Sequence, residues 1–306
     1  MKKLAHYFEY LGLRFLIFIL SLMPEKALIK FGEFMGLALT KIMPNRYKRS
    51  VKDIQKAFPE KSETECKQIA RESWANIGRI ITEFAKATRF SKENILKRFR
   101  FVNCEKFFKD NAEGKGVILM LGHFANWETL GYAMGIKAKK MTFVAYPQNN
   151  KYVNDYIAKL RGKFGSTMIS SYNPFFASFR ALKRGAVVAI LADQSVGASK
   201  LYMDFLNRPA EISPMPAVLS LKTGLPVYHV SVYREGKQII VKSSEPVYPP
   251  QVEYSTQVLY DYSKVLKKGL EDDIINHPAD WLWAHNRWKR EAEVKVNMDK
   301  GEIRGN

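Results

Sequence analysis

The chain predicts an α/β protein: a mixed, mostly parallel central sheet flanked by helices, with an N-terminal helical membrane-associated extension. Three observations carry that prediction. Val117–Leu121 and Val187–Leu191 are short, fully apolar runs, the pattern of strands buried on both faces. Helically spaced segments, Lys151–Phe164 and Pro174–Arg184, separate such runs, and alternation of strand and helix favours a parallel sheet. The first 90 residues stand outside the alternation and read as helix.

Taken in order, Tyr7–Met23 is strongly apolar but carries Glu9 and Arg14. Counted from Leu11, with Arg14 snorkelling, it makes a marginal membrane span of the roughly 20 residues a bilayer needs. No small-x-small cleavage site follows Met23, so an uncleaved anchor is expected. Lys26, Lys30, Lys41, Arg46, Lys48 and Arg49 come next, and the positive-inside rule keeps the following body in the cytoplasm. The alternative is a buried helical hairpin, because Ala27–Met43 is amphipathic. Ser62–Thr88 is the next helix. Ser62 and Glu65 fit a capping box, and Trp74, Ile77, Ile81 and Phe84 make its buried stripe.

Beyond the turn at Gly114-Lys115-Gly116, Val117–Leu121 is followed by a second strand at Met141–Ala145. A helix stops at Gly165, a short strand spans Thr167–Ser170, and Gly185 suits a left-handed cap. Val187–Leu191 follows, then a helix ending at Gly224. A hairpin joins Val227–Tyr233 to Gln238–Lys242 across Glu235-Gly236. The last long helix, Thr256–Asn276, stops before Pro278. The expected divisions are residues 1–45 as anchor and amphipathic helices, 46–290 as the α/β body, and 291–306 as a charged, frayed tail.

The chain has 306 residues, 46% of them hydrophobic, and a net charge of +19. It can bury a sizeable core, and its charge calls for an anionic partner, either nucleic acid or a membrane surface. Zinc-finger spacing, aromatic RNP signatures and P-loops are all missing from the sequence, which excludes the common nucleic-acid modules and favours an anionic membrane surface. The two cysteines, Cys66 and Cys104, lack metal-ligand spacing and read as thiols of a reducing compartment. No metal site is expected.

The chemistry concentrates at Gly122-His123-Phe124-Ala125-Asn126-Trp127-Glu128, where a buried strand runs into a polar cluster. On one ideal helix His123 and Glu128 would sit about 140° apart. They approach if His123 lies in the strand-to-helix turn and Asn126 caps the helix that follows. A carboxylate beside His123 would fix its tautomer and leave the other nitrogen as a base. The alternative is a locally bonded His and a Glu that merely caps. Asp193 and Gln194 end a buried strand, where open α/β sheets bind ligands; a turn carboxylate is the other reading. Arg161, with Lys159 and Lys163, is either a solvated cationic face or a phosphate anchor. His229 in its apolar strand reads as structural. Trp281–Lys289 either meets a bilayer interface or closes the core, with Arg287 pairing to a buried carboxylate. The lack of a G-x-S-x-G elbow argues against an acyl-enzyme hydrolase.

With these residues laid out, the chain resembles the lipid A biosynthesis (late) acyltransferases of the lysophospholipid acyltransferase superfamily, over about residues 5–290. Residues 122–128 resemble the H-x4-D/E motif in its GHFGNWE form, with Ala125 for glycine. Asn150, Arg161 and Gly165 resemble the family's asparagine–arginine–glycine segment. Ala181–Gly185 leading to Asp193-Gln194 is similar to its LKRG…DQ block. Phe205–Ala210 is similar to FFGRPA, with Asn207 for glycine. His277-Pro278 and Trp281–Lys289 are similar to its HPEQWLWxHRRWK ending, and Met215 stands where glycine is usual.

The resemblance implies an enzyme that moves an acyl chain from acyl carrier protein, or acyl-CoA, to a hydroxyl of a lipid A precursor, without a covalent enzyme intermediate. It places that enzyme on the cytoplasmic face of the inner membrane. His123 would be the base and Glu128 its orienting carboxylate. Asn126, Asn150, Arg161, Asp193 and Gln194 would serve substrate binding, Arg161 at a lipid phosphate or oxyanion and Asp193 on the acceptor side. Acyl carrier protein, the lipid acceptor and the anionic membrane are the expected partners, with no nucleic acid and no cofactor beyond the thioester donor. Other acceptors (a lysophospholipid, a glycolipid or an aminolipid) and a non-catalytic membrane-bound lipid-binding protein are the alternatives.

Overall fold

The computed structural model describes residues 2–195 and 201–303. Its centre is a seven-stranded sheet in the order β1-β9-β8-β2-β5-β3-β4. The strands are β1 (Phe99–Val102), β2 (Val117–Leu121), β3 (Met141–Ala145), β4 (Ser166–Ser170), β5 (Val187–Leu191), β8 (Val227–Glu235) and β9 (Gln238–Ser243). Every pairing is parallel except the β8–β9 hairpin, so the mixed, mostly parallel sheet expected from the sequence is present. All five residues of β2 are buried, which explains their unbroken apolarity: helices cover both faces of a central parallel strand.

The covering helices are α5 (Lys92–Leu96), α6 (Glu105–Ala112), α7 (Trp127–Lys137), α8 (Lys151–Arg161), α9 (Pro174–Lys183), α10 (Met215–Thr223) and α11 (Thr256–Asn276). Glycines in left-handed backbone end several of them: Gly165 at φ 93°, Gly185 at φ 74° and Gly224 at φ 73°. A separate antiparallel hairpin, β6 (Leu201–Phe205) and β7 (Arg208–Ile212), turns at Leu206 and Asn207, both left-handed. Neither that hairpin nor β1 is marked by an unbroken apolar run in the sequence.

Four helices precede the sheet: α1 (Lys2–Leu22), α2 (Glu25–Ile42), α3 (Pro44–Ala57) and α4 (Glu63–Ala87). The capping box forms at Ser62 and Glu65. α2 packs on α4 with backbones nearly touching, since a Cβ on Gly78 would fall 1.8 Å from the Gly32 carbonyl oxygen. α1 is the one helix among the described residues long and apolar enough to cross a membrane.

One expectation changes, and one pair of alternatives is decided. The tail is not frayed where it is described: α12 (Glu291–Asp299) buries Val294, and Glu291 takes two hydrogen bonds from the buried Arg208 at 2.8 and 3.0 Å. Residues 304–306 of the expected tail lie outside the described residues. The tryptophan-rich ending faces the core and not a bilayer, with Trp281, Trp283 and Trp288 all buried. Arg287 is buried with them, and it donates to the backbone carbonyl of Glu211 at 2.7 Å and lies over the Phe205 ring where a carboxylate partner was expected.

Candidate active site

β2 and β5 are neighbours in register, Leu121 opposite Leu191. Each strand is followed by two residues that end on a functional side chain, Gly122-His123 and Ala192-Asp193. The pairing therefore delivers His123 and Asp193 to the same point beyond the carboxyl ends of the strands, where open α/β sheets place ligands. His123 Nδ1 lies 2.7 Å from Asp193 Oδ1, and the His123 backbone N–H donates to Asp193 Oδ2 at 2.9 Å. Trp281 Nε1 donates to the same Oδ2 at 2.7 Å.

Asp193 is 1% exposed. Burial alone would raise its pKa, but the charge of a protonated His123 and the three donors outweigh it and hold the carboxyl down to about 2. An ionised carboxylate on Nδ1 fixes that nitrogen as the donor and turns Nε2 outward as the free basic nitrogen. Among the described residues nothing bonds Nε2, and the ring borders a cleft of about 760 Å³.

The helix that follows begins where the spacing requires. α7 starts at Trp127, and the buried Asn126 caps it by accepting from the Thr129 N–H at 3.0 Å. Ala125 adopts φ 45° to make the turn, the left-handed backbone that glycine accommodates more easily. Glu128 thus lies in the first turn of α7 but does not meet the imidazole. Trp127 does, edge-on with ring centroids 5.0 Å apart. Both Glu128 oxygens are taken by Arg161 of α8, through Nε at 2.8 Å and Nη2 at 2.5 Å. The expected His123–Glu128 pair is thereby corrected: the carboxylate on the histidine is Asp193, because strand pairing brings it there while a bidentate guanidinium holds Glu128 elsewhere.

The remaining expected residues divide. His123, Glu128, Arg161 and Gln194 all line the cleft. Asn126 does not; its amide donates to Glu83 at 2.7 Å. Nor does Asn150, which caps α8 and ties it to α1 by donating to the His6 carbonyl at 2.8 Å and to Glu9 at 2.7 Å. Most of the remaining lining is apolar, including Leu119 and Leu121 of β2, Met134 of α7, Phe143 of β3, Ala189 of β5 and Val230 of β8, with Gln148, Ser171 and Ser213 as polar exceptions. His229 stands apart, paired with Asp273 at 2.9 Å and pressed against Gly269, as a structural histidine would be.

Sequence reasoning missed the supports behind the pair. Trp281 reaches Asp193 because residues 280–282 run beside the His123 loop: Ala125 N–H donates to the Asp280 carbonyl and Leu282 N–H to that of His123. Glu83 of α4 accepts from Asn126 and is gripped by Arg234 of β8 at 3.0 and 3.1 Å. Asn76 of α4 donates to the Ala125 carbonyl at 3.0 Å. Each is a long-range contact with no local sequence pattern.

In an α/β fold, a histidine held by a buried carboxylate at the edge of a largely apolar cleft is an arrangement able to move a proton beside an apolar ligand. A family model described as bacterial lipid A biosynthesis acyltransferase matches residues 1–290. The chain belongs to this family, and it is an acyltransferase whose class acts on a lipid acceptor. Among curated proteins it is 24% identical over 199 residues to a lipid A biosynthesis acyltransferase of Haemophilus influenzae, covering 65% of this chain and 62% of that one. It is 22% identical over 273 residues to the lipid A biosynthesis palmitoleoyltransferase of Escherichia coli, covering 87% and 86%. It is also 23% identical over 181 residues to a phosphatidylinositol mannoside acyltransferase of Mycobacterium tuberculosis, covering 58% and 56%.

Proposed function

We propose that this enzyme transfers a fatty acyl chain from the thioester of acyl carrier protein to a hydroxyl of a lipid A precursor, at the cytoplasmic face of the inner membrane. The observation that carries the reading is the His123 ring: its Nδ1 is held by buried Asp193, and the residue lines the largely apolar cleft with Nε2 unbonded among the described residues. The acyl chain lies in that cleft. His123 Nε2 takes the proton of the acceptor hydroxyl, and the oxygen attacks the thioester carbonyl. The tetrahedral intermediate collapses, the carbon–sulfur bond breaks, and the imidazolium returns its proton to the departing sulfur. No enzyme group is acylated, no metal or organic cofactor takes part, and the thioester supplies the activated acyl group.

In this scheme Asp193 keeps the Nδ1–H tautomer and stabilises the imidazolium, as in other carboxylate–histidine pairs. Arg161 commits Nε and Nη2 to Glu128, and as a cation lining the cleft together with Gln194 it attracts the anionic part of the acceptor. The net charge of +19 suits both an acidic carrier protein and an anionic membrane. Purified His123→Ala protein should keep its circular dichroism spectrum and lose transfer from acyl carrier protein; substantial transfer by that variant overturns the reading. A glycolipid acceptor of another kind is the second reading, favoured by the match to phosphatidylinositol mannoside acyltransferases. Mass spectrometry of lipids from a deletion strain separates the two, because loss of one acyl chain from lipid A supports the first and unchanged lipid A eliminates it.

A further inference from the structure

We propose that α1 does not cross the membrane but lies in the plane of an anionic bilayer surface, with one stripe of its side chains in the lipid. α1 is 21 residues long, about 32 Å at 1.5 Å per residue. That matches the hydrocarbon thickness of roughly 30 Å, so length and composition alone would let it span. Its contacts forbid that. One side of the helix is fastened to the protein from end to end. Near its start, Asn150 of α8 donates to the His6 carbonyl and to Glu9, and Tyr7 and Tyr10 pack on Tyr152 and Tyr156 of α8. Further along, Ile17 and Leu20 are buried with Leu28 of α2 and Ala85 of α4. At its end, Lys86 of α4 donates to the carbonyls of Ser21 and Met23 at 2.9 and 2.7 Å.

A spanning α1 would therefore drag α8 into the hydrocarbon beside it. α8 exposes Lys151, Asp155 and Lys159 to solvent, and charges at that depth are expensive. The opposite side of α1 has the composition that lipid selects. Leu4, Phe8, Leu11, Phe15, Phe18 and Leu22 are all exposed, between 39% and 67%. They recur at steps of three and four, so they form one stripe about 150° around the helix from the buried side. A helix fastened along one side to a water-soluble body and apolar on the other side lies along an interface. Lys2 and Lys3 open the helix, the exposed Arg14 donates to the Tyr10 hydroxyl, and Lys26 and Lys30 follow in α2; this positive charge suits anionic headgroups. The orientation suits access to the cleft, because α8, against which α1 lies, follows directly on the loop that carries the cleft residues Tyr146 and Gln148.

The test reads topology and not acyl transfer, so it stands whether or not the proposed reaction is right. Lys3→Cys and Lys268→Cys variants are prepared separately in membrane vesicles of known sidedness; the native Cys66 and Cys104 are buried, and Lys268 is exposed on α11. A membrane-impermeant maleimide added outside should label both variants to the same extent or neither. Labelling of one from outside and the other only after detergent overturns the proposal. In phosphatidylglycerol-containing vesicles with brominated acyl chains, Leu4→Trp, Leu11→Trp and Phe18→Trp should all be quenched from one shallow depth, and the binding should weaken with salt. A depth profile peaking at Leu11→Trp means a spanning helix, and no quenching at any of the three means no lipid contact. Absence of quenching together with crosslinking between copies through Phe15→Cys means a second copy of this chain covers the stripe. Each of these three results overturns the proposal.

Discussion

Replacing Asp193 by Asn changes one atom of the site and reverses the logic of the histidine. In the native site Oδ2 accepts from the His123 backbone N–H and the Trp281 indole, while Oδ1 faces His123 Nδ1. An asparagine keeps the first two bonds only by placing its carbonyl oxygen there, which turns its NH2 toward Nδ1. Two donors cannot share a hydrogen bond, so Nδ1 becomes the acceptor and the proton moves to Nε2, the nitrogen that has to act as base. The comparable substitution in the Ser-His-Asp triad costs about 10⁴ in kcat by the same change of tautomer. We expect a fall of about 10³–10⁴, or about 4–5.5 kcal/mol in the barrier.

The buried site also loses charge-assisted bonds, worth roughly 2–4 kcal/mol of stability, so the variant is assayed below its urea transition. Steady-state transfer is measured beside Glu128→Gln, whose carboxylate touches Arg161 and not His123. Glu128→Gln should raise KM more than it lowers kcat. If Glu128→Gln abolishes kcat as fully as His123→Ala while folded Asp193→Asn keeps more than about a tenth of it, a loss of less than the roughly 1.36 kcal/mol that a decade represents, the assignment of Asp193 is wrong.

Three further outcomes are expected. Ala189→Leu intrudes on the apolar cleft; displacing two methylenes at about 0.8 kcal/mol each should shift preference toward shorter acyl donors by roughly 15-fold in kcat/KM, and an unchanged chain-length profile would place the acyl chain elsewhere. Ala125→Gly relieves left-handed backbone at φ 45°. It should leave urea stability unchanged or raise it by up to about 1 kcal/mol, whereas Ala133→Gly inside α7 should cost about 1 kcal/mol or more; equal losses at both positions would contradict the backbone geometry. Burial pushes His285 down to about 4 from an unfolded value near 6.5. The unfolded chain takes up that proton first, so this contribution to stability is whole above pH ~6.5 and declines toward pH 4 by at most about 3 kcal/mol. His285→Gln should flatten the slope of urea stability between those values, and an unchanged slope would refute the cause.

The sheet was largely legible because its strands advertise burial. Val117–Leu121 and Val187–Leu191 sit where the apolar runs put them, and the helix ends follow Gly165, Gly185 and Gly224. The start of α7 after His123, capped by Asn126, followed from the polar residues that succeed the strand. β1 escaped because Phe99-Arg100-Phe101-Val102 is short and interrupted by charge, and the β6–β7 hairpin because its turn is Leu206-Asn207 with no glycine. The partner of His123 escaped for a different reason. Glu128 is near in sequence, but Asp193 is near in space only because β2 pairs with β5, and strand neighbourhood has no local signature. A usable hint existed: both His123 and Asp193 stand two residues beyond the last residue of a buried strand. The burial of Trp281 and its reach to Asp193 likewise depend on where the chain ending docks, which composition alone left open.

The indole of Trp281 closes the site from 88 residues beyond Asp193. At synthesis rates of about 5–20 residues per second, roughly 4–18 s separate the emergence of the two. During that interval α1 is already outside the ribosome and free to meet a surface, while His123 and its carboxylate still lack the strand-like cover of residues 280–282. On the proposed placement of α1, the chain's order lets attachment come first and completion of the site last.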